Sequence, residues 1–506
     1  MASSAAQTLR DLVDERAATQ PDAPCLIAAE TGAAMTYGAL HDATAALEAF
    51  LGEAGIAPGE PVAFMLPNGL SAATLFIGIM AAGRVVAPQN LLAQDSYLEH
   101  ALTHSGTRLV FADASSAERL TGLAARKRLP LRVHAVELDG LRLPAAPAAR
   151  PTALQARDPA LLMYTSGTTG QPKGALLSHA NLLAAARAVA ASLELGAGDR
   201  VLSSLPLYHV NGQVIATVAP LLAGGSIVLP HRFSVTSWWS LVERHRPTWL
   251  NVVPTIIAYL LNAGTADAAA PAACAGVRFA RSASAPLPPA QHRAFEQRFG
   301  IPVIEAMGLT ESASVAFTNG LSPAARKIGT PGRPLGMEAR VVRSDGTPAA
   351  DEETGEIQLR GPNVMTGYYK APELTARAID ADGWLATGDL GFRDADGFYF
   401  ITGRLKELII KGGENIAPRE VDEALLRHPA VLECAAVGVP DADYGQEILA
   451  CVVLKPGMHC AEDELRAHCL RELGRYKSPR YLRFVTELPK GPSGKVQRLR
   501  LLEAAG

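Results

Sequence analysis

Short apolar runs alternate with amphipathic segments in the first part of the chain. Val62–Leu66, Val85–Ala87 and Leu109–Ala112 have the length and composition of buried strands, and Ser71–Ala82 has the length of a helix. Such an alternation is typical of a parallel sheet whose crossover helices cover its faces. The pattern therefore predicts an α/β fold for this part.

The alternation stops at a Pro- and Ala-rich stretch, Leu143–Ala153, and then resumes. Ala160–Tyr164 and Ala175–Leu177 predict two strands separated by a loop of small residues, and a helix follows Asn181. Prolines clustered between periodic segments mark connections on the surface. We interpret Leu143–Ala153 as a connector inside one large domain.

A different pattern begins at about Gly329 and continues to Phe400. Short alternating runs such as GEIQLRG and GFYFITG are separated by Asp-Gly, Thr-Gly and Gly-Pro turns, and this arrangement predicts β-hairpins. We expect the hairpins to form a small antiparallel β-barrel or sheet within a large N-terminal domain, residues 1–403.

The last hundred residues or so predict a smaller α+β unit. Helix Pro418–His428, strands Leu432–Val439 and Ile448–Lys455, and helix Ala461–Leu473 follow one another after a charged segment. A unit of this size can fold and move as one body. We therefore predict a mobile C-terminal domain, residues 404–506.

The composition excludes several classes of function. The 506 residues carry a formal net charge of -3, which provides no basic field for a nucleic acid. The 6 cysteines include no CxxC pair and no apolar signal peptide is visible, so a reducing, cytoplasmic location is expected. The most apolar window, Val214–Pro230, is broken by Pro220 and by two glycines, and it predicts a buried helix and a strand instead of a membrane span.

One loop has the composition of an anion-binding site. The stretch TSGTTGQPKG combines glycines, which let a ligand approach the backbone, with hydroxyl side chains and one lysine. The Walker loop of P-loop NTPases is excluded, because Lys173 follows a proline and precedes Gly174. We predict that the loop binds phosphate through Thr165, Ser166, Gly167, Thr168, Thr169, Gly170 and Lys173.

Several blocks of the sequence together resemble one family. YTSGTTGQPKGALLSH resembles the phosphate-binding signature of the adenylate-forming enzymes, which include acyl-CoA synthetases, coumarate-CoA ligases and the adenylation domains of peptide synthetases. PLYHVNG, SASAPLP, MGLTES, GWLATGDLGFRDADGFYFITGRLKELIIKGGENIAPREVD and PKGPSGKVQR continue the resemblance in family order over nearly the whole chain. The chain most resembles the oxalate-CoA ligase and coumarate-CoA ligase branches.

The resemblance implies an AMP-forming ligase. Such enzymes join a carboxylic acid to ATP as an acyl-adenylate, release pyrophosphate, and then transfer the acyl group to CoA. ATP, Mg²⁺ and CoA are therefore the expected cofactors, and a small carboxylic acid is the expected substrate. By the resemblance, Thr310 contacts the phosphates, and Glu311 with Thr168 holds Mg²⁺, a hard ion that prefers carboxylate and phosphate oxygens.

The resemblance also assigns a nucleotide site. Asp389 corresponds to the aspartate that accepts both ribose hydroxyls, which a carboxylate can do, and Arg404 corresponds to the arginine that assists it. Met307, before Gly308, occupies a position that is usually aromatic, and we expect weaker nucleotide binding from this thioether. The segment that flanks the adenine is Ser284, Ala285 and Pro286.

The C-terminal domain is expected to supply the adenylation lysine. In the block GPSGKVQR this lysine corresponds to Lys495, which would reach the reacting groups only when the domain closes on the site. Lys406 occupies the family's hinge position. Rotation about it would withdraw Lys495 and bring to the CoA channel the segment that contains Lys411, Gly412 and Gly413.

The acid pocket is expected after PLY and at the strand end before SAPL. The residues that the resemblance places there are His209, which gates the acid and CoA channels, Asn211, Gly212, Arg281, Ser282, Met307 and Ser312. Ser234 follows Phe233 where amino-acid-activating relatives have an aspartate, which argues against an α-amino acid. An arginine binds a carboxylate through two parallel hydrogen bonds, so Arg281 favours oxalate or another short polar acid, although a structural role for it is an equal alternative. Short- or medium-chain aliphatic acids and aryl acids remain open.

Two other functions remain as alternatives. A stand-alone adenylation domain would load a carrier protein, and the chain contains no carrier domain with its serine. A non-catalytic sensor of nucleotide or acyl-CoA is opposed by the joint presence of Thr310, Glu311, Asp389, Arg404 and Lys495. No pattern in the sequence indicates an oligomeric state.

Overall fold

A computed structural model of the chain describes residues 6–147, 151–165, 172–263, 274–490 and 496–502. Within these ranges the α-helices are Leu9–Thr19, Tyr37–Glu53, Leu70–Ala81, Asp95–Ser105, Ala114–Lys127, His179–Ser192, Ala219–Ala223, Trp238–His245, Pro254–Asn262, Pro289–Phe299, Pro372–Ala378, Pro418–Leu426 and Glu462–Lys477. A π-helix occupies Asn211–Val218. Short 3-10 helices occupy Cys274–Gly276, Thr310–Ser312, Pro323–Ala325 and Arg498–Leu501.

The strands follow the predicted alternation. The strands up to residue 282 are β1 Pro24–Ala28, β2 Ala34–Thr36, β3 Pro61–Met65, β4 Val85–Pro88, β5 Leu109–Ala112, β6 Arg132–Ala135, β7 Pro159–Thr165, β8 Lys173–Ser178, β9 Arg200–Ser203, β10 Ser226–Leu229, β11 Trp249–Val252 and β12 Phe279–Ser282. The strands after it are β13 Val303–Met307, β14 Phe317–Thr318, β15 Arg333–Pro334, β16 Glu338–Val342, β17 Gly355–Arg360, β18 Gly367–Tyr368, β19 Leu385–Arg393, β20 Tyr399–Arg404, β21 Ile409–Lys411, β22 Glu414–Ile416, β23 Val431–Asp441, β24 Gly445–Leu454 and β25 Tyr481–Phe484.

Two large sheets form most of the N-terminal domain. Their strand orders are β18-β8-β7-β4-β3-β5-β6 and β15-β14-β13-β12-β11-β9-β10-β1-β2. In the second sheet the strands from β1 through β10, β9, β11 and β12 to β13 pair in parallel. The carboxyl ends of these parallel strands therefore meet at one edge, which is where α/β sheets bind ligands.

The helix Leu70–Ala81 shows how the sheets share one core. All of its residues are buried, which is the pattern of a helix covered on every side. Gly78 lets the helix Tyr37–Glu53 come close, because a Cβ at this position would lie 2.9 Å from Leu47 Cδ2. The same apolar cluster contains Phe64 from the first sheet and Trp249 from the second.

Smaller sheets follow in the chain, and the first of them is antiparallel, as the turn-rich pattern predicts, whereas the last is mixed because β24 and β25 pair in parallel. β16, β17, β19 and β20 form a four-stranded antiparallel sheet. After it, β23, β24 and β25 form a three-stranded sheet that packs with the helices Pro418–Leu426 and Glu462–Lys477 around a core of its own. The predicted fold class, a large N-terminal α/β domain and a smaller C-terminal α+β domain, is confirmed.

The structure differs from the predicted elements in helix type and helix length. The apolar window Val214–Pro230 contains the expected helix and strand, but its helix begins as the π-helix Asn211–Val218. Pro220 lies in the first turn of the next helix, where its missing N–H is not needed. The predicted helix Ala461–Leu473 continues to Lys477 because it resumes after an interruption at Gly474, where φ is 71°. Across the described residues, no helix has the length and apolar character that crossing a membrane requires.

Candidate active site

A cleft lies where strands of the two large sheets and the antiparallel sheet end. It is lined by Thr165, His209, Val210, Asn211, Ala283, Ser284, Gly308, Leu309, Thr310, Glu311, Ser314, Tyr368, Leu385, Ala386, Thr387 and Arg404. Ala283 and Ser284 directly follow β12, and Gly308 directly follows β13. The cleft therefore brings together residues from most of the blocks on which the family resemblance depends.

Asp389 and Arg404 form an ion pair at one side of this cleft. They are opposite each other in the register of β19 and β20, and Arg404 Nε lies 2.7 Å from Asp389 Oδ1. Asp389 is only 2% exposed, and its backbone N–H donates to Thr387 Oγ1 at 3.0 Å. A carboxylate held beside an arginine that lines a cleft is suited to accept hydrogen bonds from the hydroxyl groups of a sugar.

Glu311 lines the same cleft, and Tyr368 holds its carboxylate. Tyr368 OH donates to Glu311 Oε1 at 2.9 Å, and burial raises the pKa of Tyr368, so its hydroxyl remains a donor. Lys173 Nζ lies 5.2 Å from the centre of the Tyr368 ring. A carboxylate fixed in this way suits Mg²⁺, which prefers one or two carboxylates together with phosphate oxygens.

Tyr368 is a site residue that the sequence reasoning missed. It reaches the cleft because β18 pairs with β8, with Tyr368 opposite Ala175. The pairing joins segments that are almost two hundred residues apart in the chain, and nothing local in the sequence indicates it. The missed residue connects Glu311 with Lys173, two residues that the sequence did indicate.

The predicted phosphate loop joins two paired strands. β7 and β8 form an antiparallel pair in which Thr165 is opposite Lys173. The helix Asp95–Ser105 contacts both ends of the loop: Tyr97 OH donates to Tyr164 O at 3.0 Å, and His100 Nε2 lies 3.1 Å from Pro172 O. The predicted residues Ser166, Gly167, Thr168, Thr169 and Gly170 lie outside the described residues, as does Lys495.

The strand ends after β12 and β13 have a tightly restricted backbone. Ser284 has a φ of 76°, a conformation that few non-glycine residues adopt. A Cβ at Gly308 would collide with the backbone carbonyl of Ser314. Met307 ends β13 and is partly buried against the apolar core. Ser284 and Gly308 are therefore fixed by the backbone at the cleft, whereas Met307, Ala285 and Pro286 are not among the residues that line it.

A chain of buried polar side chains leads from the cleft to the second sheet. Asn211 Nδ2 donates to Ser284 Oγ at 3.1 Å, and Asn251 Nδ2 lies 3.2 Å from Asn211 Oδ1 and 3.3 Å from Ser203 Oγ. Gly212, next to Asn211, has no room for a side chain, because a Cβ would lie 2.7 Å from the carbonyl oxygen of Leu205. One end of the cleft is therefore polar well below its surface.

His209 is a neutral group at the cleft wall. Burial lowers the pKa of His209 to about 4, so its imidazole is uncharged at neutral pH. Its ring lies beside Tyr208, with the ring centres 5.6 Å apart. A neutral imidazole can line a channel for an acyl group without competing for an anion.

Asn251 is a second residue that the sequence reasoning missed, and here a signal was present. It is a polar residue inside the apolar strand β11, and it is fully buried. A buried amide needs hydrogen-bond partners, so an asparagine in such a strand indicates a polar neighbour in the fold. Its neighbours are Asn211 and Ser203.

Arg281 lies in the same row of the sheet. In the register of the parallel strands, Asn251 is opposite both Arg281 and Ser203, so the three side chains are on one face. Arg281 is 2% exposed, and burial lowers its pKa to about 10, which leaves it charged at neutral pH. Ser282 is on the opposite face, level with Glu305. Ser312 is buried beside Leu309, where its hydroxyl lies 3.2 Å from the backbone N–H, and neither serine lines the cleft.

The predicted CoA-channel residues lie in the C-terminal domain. Lys411 is buried, with its Nζ 2.6 Å from Glu447 Oε1 and between the rings of Tyr444 and Tyr476. Gly412 and Gly413 form the turn between β21 and β22, with φ values of 55° and 86°. The two glycines of this segment are exposed, whereas the side chain of Lys411 is buried inside the domain. Lys406 follows β20 directly after Arg404 and Leu405.

Two family models match the chain. The model described as AMP-binding enzyme matches residues 13–369, and the model described as AMP-binding enzyme C-terminal domain matches residues 420–495. Together they include the cleft-lining residues up to Tyr368 and most of the C-terminal domain.

Curated proteins and solved structures show the same likeness. A sulfoacetate-CoA ligase from Cupriavidus necator is 56% identical over 98% of both chains, and an oxalate-CoA ligase from Arabidopsis thaliana is 34% identical over 92% of both. The crystal structure of ATP-bound MatB from Rhodopseudomonas palustris superposes with a TM-score of 0.90 at 29% identity, and the match covers 98% of this chain and 99% of that one.

Proposed function

The chain belongs to the AMP-binding enzyme family and is an ATP-dependent acyl-CoA ligase, and we propose that it activates a short polar acid, with sulfoacetate as the first candidate. In the first half-reaction an oxygen of the carboxylate attacks the α-phosphorus of ATP, and pyrophosphate leaves. In the second half-reaction the thiol sulfur of CoA loses its proton and attacks the acyl carbon, and AMP leaves.

The hydrogen-bonded side chains of Asn211 and Asn251 are the observation that supports a polar acid as the substrate. An aliphatic or aryl group would have to bury this end of the cleft against amide groups, and an unmatched polar group in an apolar contact is unfavourable. A short acid with a polar tail can hydrogen-bond to them. The relative at 56% identity is by its name a sulfoacetate-CoA ligase, so we propose sulfoacetate as the first candidate. Oxalate is the second candidate, because the sequence resemblance favours it and the relative at 34% identity is by its name an oxalate-CoA ligase.

The residues at the ATP end of the cleft can each be assigned a part of ATP or its metal ion. Asp389 and Arg404 would hold the ribose, Lys173 and Thr310 the phosphates, and Met307 the face of the adenine. Glu311, held by Tyr368, would bind Mg²⁺ together with the phosphates and with Thr168. The ion supplies positive charge for the phosphate oxygens. Neutral His209 would separate the acid from the incoming CoA.

The C-terminal domain would act in both half-reactions. We assign the adenylation step to Lys495 and the pivot to Lys406, which lies two residues after Arg404. The exposed glycine turn Gly412–Gly413 would line the CoA channel after rotation. The supporting observation is that the described residues from 409 to 482 contain a hydrophobic core of their own, which a unit that moves as one body requires.

A pyrophosphate-release assay over a panel of acids tests this function. With ATP, Mg²⁺ and CoA, we expect the highest kcat/KM with sulfoacetate, a lower value with oxalate, and little turnover with butyrate or coumarate. Equal turnover of butyrate and sulfoacetate would contradict the choice of acid. Turnover that needs a carrier protein instead of free CoA would favour the stand-alone adenylation domain, and absence of ATP–pyrophosphate exchange with every acid would favour a sensor.

A further inference from the structure

We propose that Arg281 determines the acid specificity by pairing with a second anionic group on the acid, so that this ligase requires an acid with two negative charges. The inference rests on the proposed function, because it concerns the acid end of the same cleft. It goes further, because a short polar acid with an uncharged tail would satisfy the proposed function but not this inference.

Arg281 does not itself line the cleft, but the fold places it next to residues that do. It is the last but one residue of β12, and the next residues along the chain, Ala283 and Ser284, line the cleft. Across the sheet it is level with Asn251, whose amide bonds to the cleft residue Asn211. The guanidinium is therefore at the inner end of the polar chain, on the face that this chain occupies.

Among the described residues, none supplies a counter-charge to the Arg281 guanidinium. Over the described ranges of the chain, no carboxylate pairs with it, no hydrogen bond from it is found, and its Nη1 is buried without an acceptor. Burial is also the one cause that shifts its pKa, with no contribution from an acidic neighbour. Asn251 Oδ1 is buried without a donor, and it could accept one N–H group, but an amide cannot neutralise a charge.

A buried, unpaired cation lowers the stability of the fold unless a bound ligand supplies the opposite charge. Removing a charge from water without a partner is among the largest penalties in a folded protein. An arginine cannot escape the penalty by losing its proton near neutral pH. The arrangement is accounted for if the missing anion arrives with the substrate. Carboxylate and sulfonate groups can both accept hydrogen bonds from the fork of a guanidinium.

The test compares acids that differ only in the charge of the tail. Sulfoacetate is compared with methylsulfonylacetate, which replaces a sulfonate oxygen by a methyl group, and malonate with its monomethyl ester. The wild-type enzyme is expected to prefer the doubly charged member of a pair by about a hundredfold in kcat/KM. The ratio between sulfoacetate and malonate then identifies which anion the pocket accepts better.

Substitution of Arg281 should remove this preference. Arg281→Met keeps the length and apolar stem, and we expect kcat/KM for the doubly charged acid to fall about a hundredfold, with the singly charged acid unaffected and KM for ATP unchanged. Arg281→Lys should retain part of the preference. The matched control is Arg278→Met, three residues earlier, whose side chain pairs at the surface with Asp199 at 2.7 Å and which should behave as wild type.

Thermal unfolding provides a readout that does not require turnover. Sulfoacetate alone should raise the Tm of the wild type and of Arg278→Met but not that of Arg281→Met, and the unliganded Arg281→Met should melt above the wild type. Equal use of charged and neutral tails by the wild type, or an equal fall for both acids in Arg281→Met, would overturn the inference while the ligase function stands. Failure of the proposed function would look different: no acid would release pyrophosphate, whereas the Tm shifts would still report whether Arg281 binds the anion.

Discussion

Arg404 Nε lies 2.7 Å from Asp389 Oδ1, and the two residues are opposite each other on neighbouring strands. Arg404 is also the last residue of β20, after which the chain enters the C-terminal domain. Leu405 N–H, the next donor along the chain, bonds to Gly388 O at 3.0 Å. The proposed ribose site and the start of the proposed hinge therefore share one short backbone segment, so that nucleotide binding and domain rotation would act on the same residues.

Replacement of Asp389 should weaken ATP binding more than catalysis. Asp389→Ala removes the carboxylate that would accept the ribose hydroxyls, and we expect KM for ATP to rise about 10- to 100-fold with a smaller change in kcat. Steady-state kinetics with saturating acid and CoA measure this. Asp396→Ala is the control, because Asp396 is an exposed residue that pairs with Lys327 at 3.0 Å. A KM that stays at the wild-type value would exclude a ribose role.

Removal of one hydroxyl should change the need for Mg²⁺. Tyr368→Phe deletes the donor to Glu311 Oε1 and keeps the ring beside Lys173. We expect the Mg²⁺ concentration for half-maximal activity to rise about three- to tenfold. Tyr369→Phe is a matched control on the neighbouring residue, whose hydroxyl bonds to Ser105 O at 3.4 Å. If both variants show the same Mg²⁺ dependence, Tyr368 does not act through Glu311.

An aromatic residue at position 307 should improve nucleotide binding. Met307 ends β13 at the predicted adenine face, and an aromatic ring stacks on a base more favourably than a thioether does. Met307→Tyr is expected to lower KM for ATP about threefold. The acid KM, measured in parallel, should not move. An ATP KM that fails to improve would count against the adenine assignment.

The two half-reactions should separate when the adenylation lysine is lost. Lys495→Ala is expected to slow acyl-adenylate formation by at least about a hundredfold, because a positive charge at the reacting phosphate is removed. Thioester formation from supplied acyl-adenylate should survive, since that step would use the other closure. Lys490→Ala, which removes an ion pair with Glu433 of 2.7 Å, serves as the control. Equal loss of both half-reactions would reject the two-closure proposal.

The stability of the protein should depend on the protonation of Glu305. Burial raises the pKa of this 3% exposed carboxyl to about 7, while Arg419 favours and Glu423 opposes its charged form. Because the folded pKa is the higher one, Glu305 stabilises the fold fully below its unfolded pKa of about 4.5, and this contribution is lost as the pH rises through 7.

Glu305→Gln tests this dependence. The amide oxygen can still accept from Leu287 N–H, as Glu305 Oε1 does at 3.2 Å, but it carries no charge. The variant should match the wild type near pH 4 and exceed it by about 3 kcal/mol of unfolding free energy near pH 8. Parallel curves of Tm against pH for the two proteins would contradict the shift.

The fold and the ATP end of the site were more predictable than the acid end, for a physical reason. The residues predicted for the ATP end lie in contiguous sequence blocks with turn residues at fixed spacings, so their sequence neighbours identify them. These residues are Thr310, Glu311, Asp389 and Arg404. Tyr368 reaches Glu311 only through the pairing of β18 with β8. Long-range register is set by the packing of whole sheets, and no local pattern encodes it.

The acid end depends on a row of residues taken from several strands. Ser203, Asn251 and Arg281 come together because β9, β11 and β12 are neighbours in the sheet. The sequence indicated Arg281 through its resemblance, whereas Asn251, a polar residue in an apolar strand, was missed. That no described residue supplies a counter-charge to Arg281 became visible only when the surrounding strands were in place.

The π-helix Asn211–Val218 suggests how acid preference can change during evolution. Its hydrogen bonds span five residues, so it contains one residue more than α-helical spacing needs. Deleting one of these residues would restore α-helical spacing without breaking the helix, and it would turn Asn211 by about 100° relative to the residues that follow. The amide would then leave Ser284 and Asn251. A ligase of this kind could therefore acquire a new substrate through the loss of a single codon, with every residue of its ATP site unchanged.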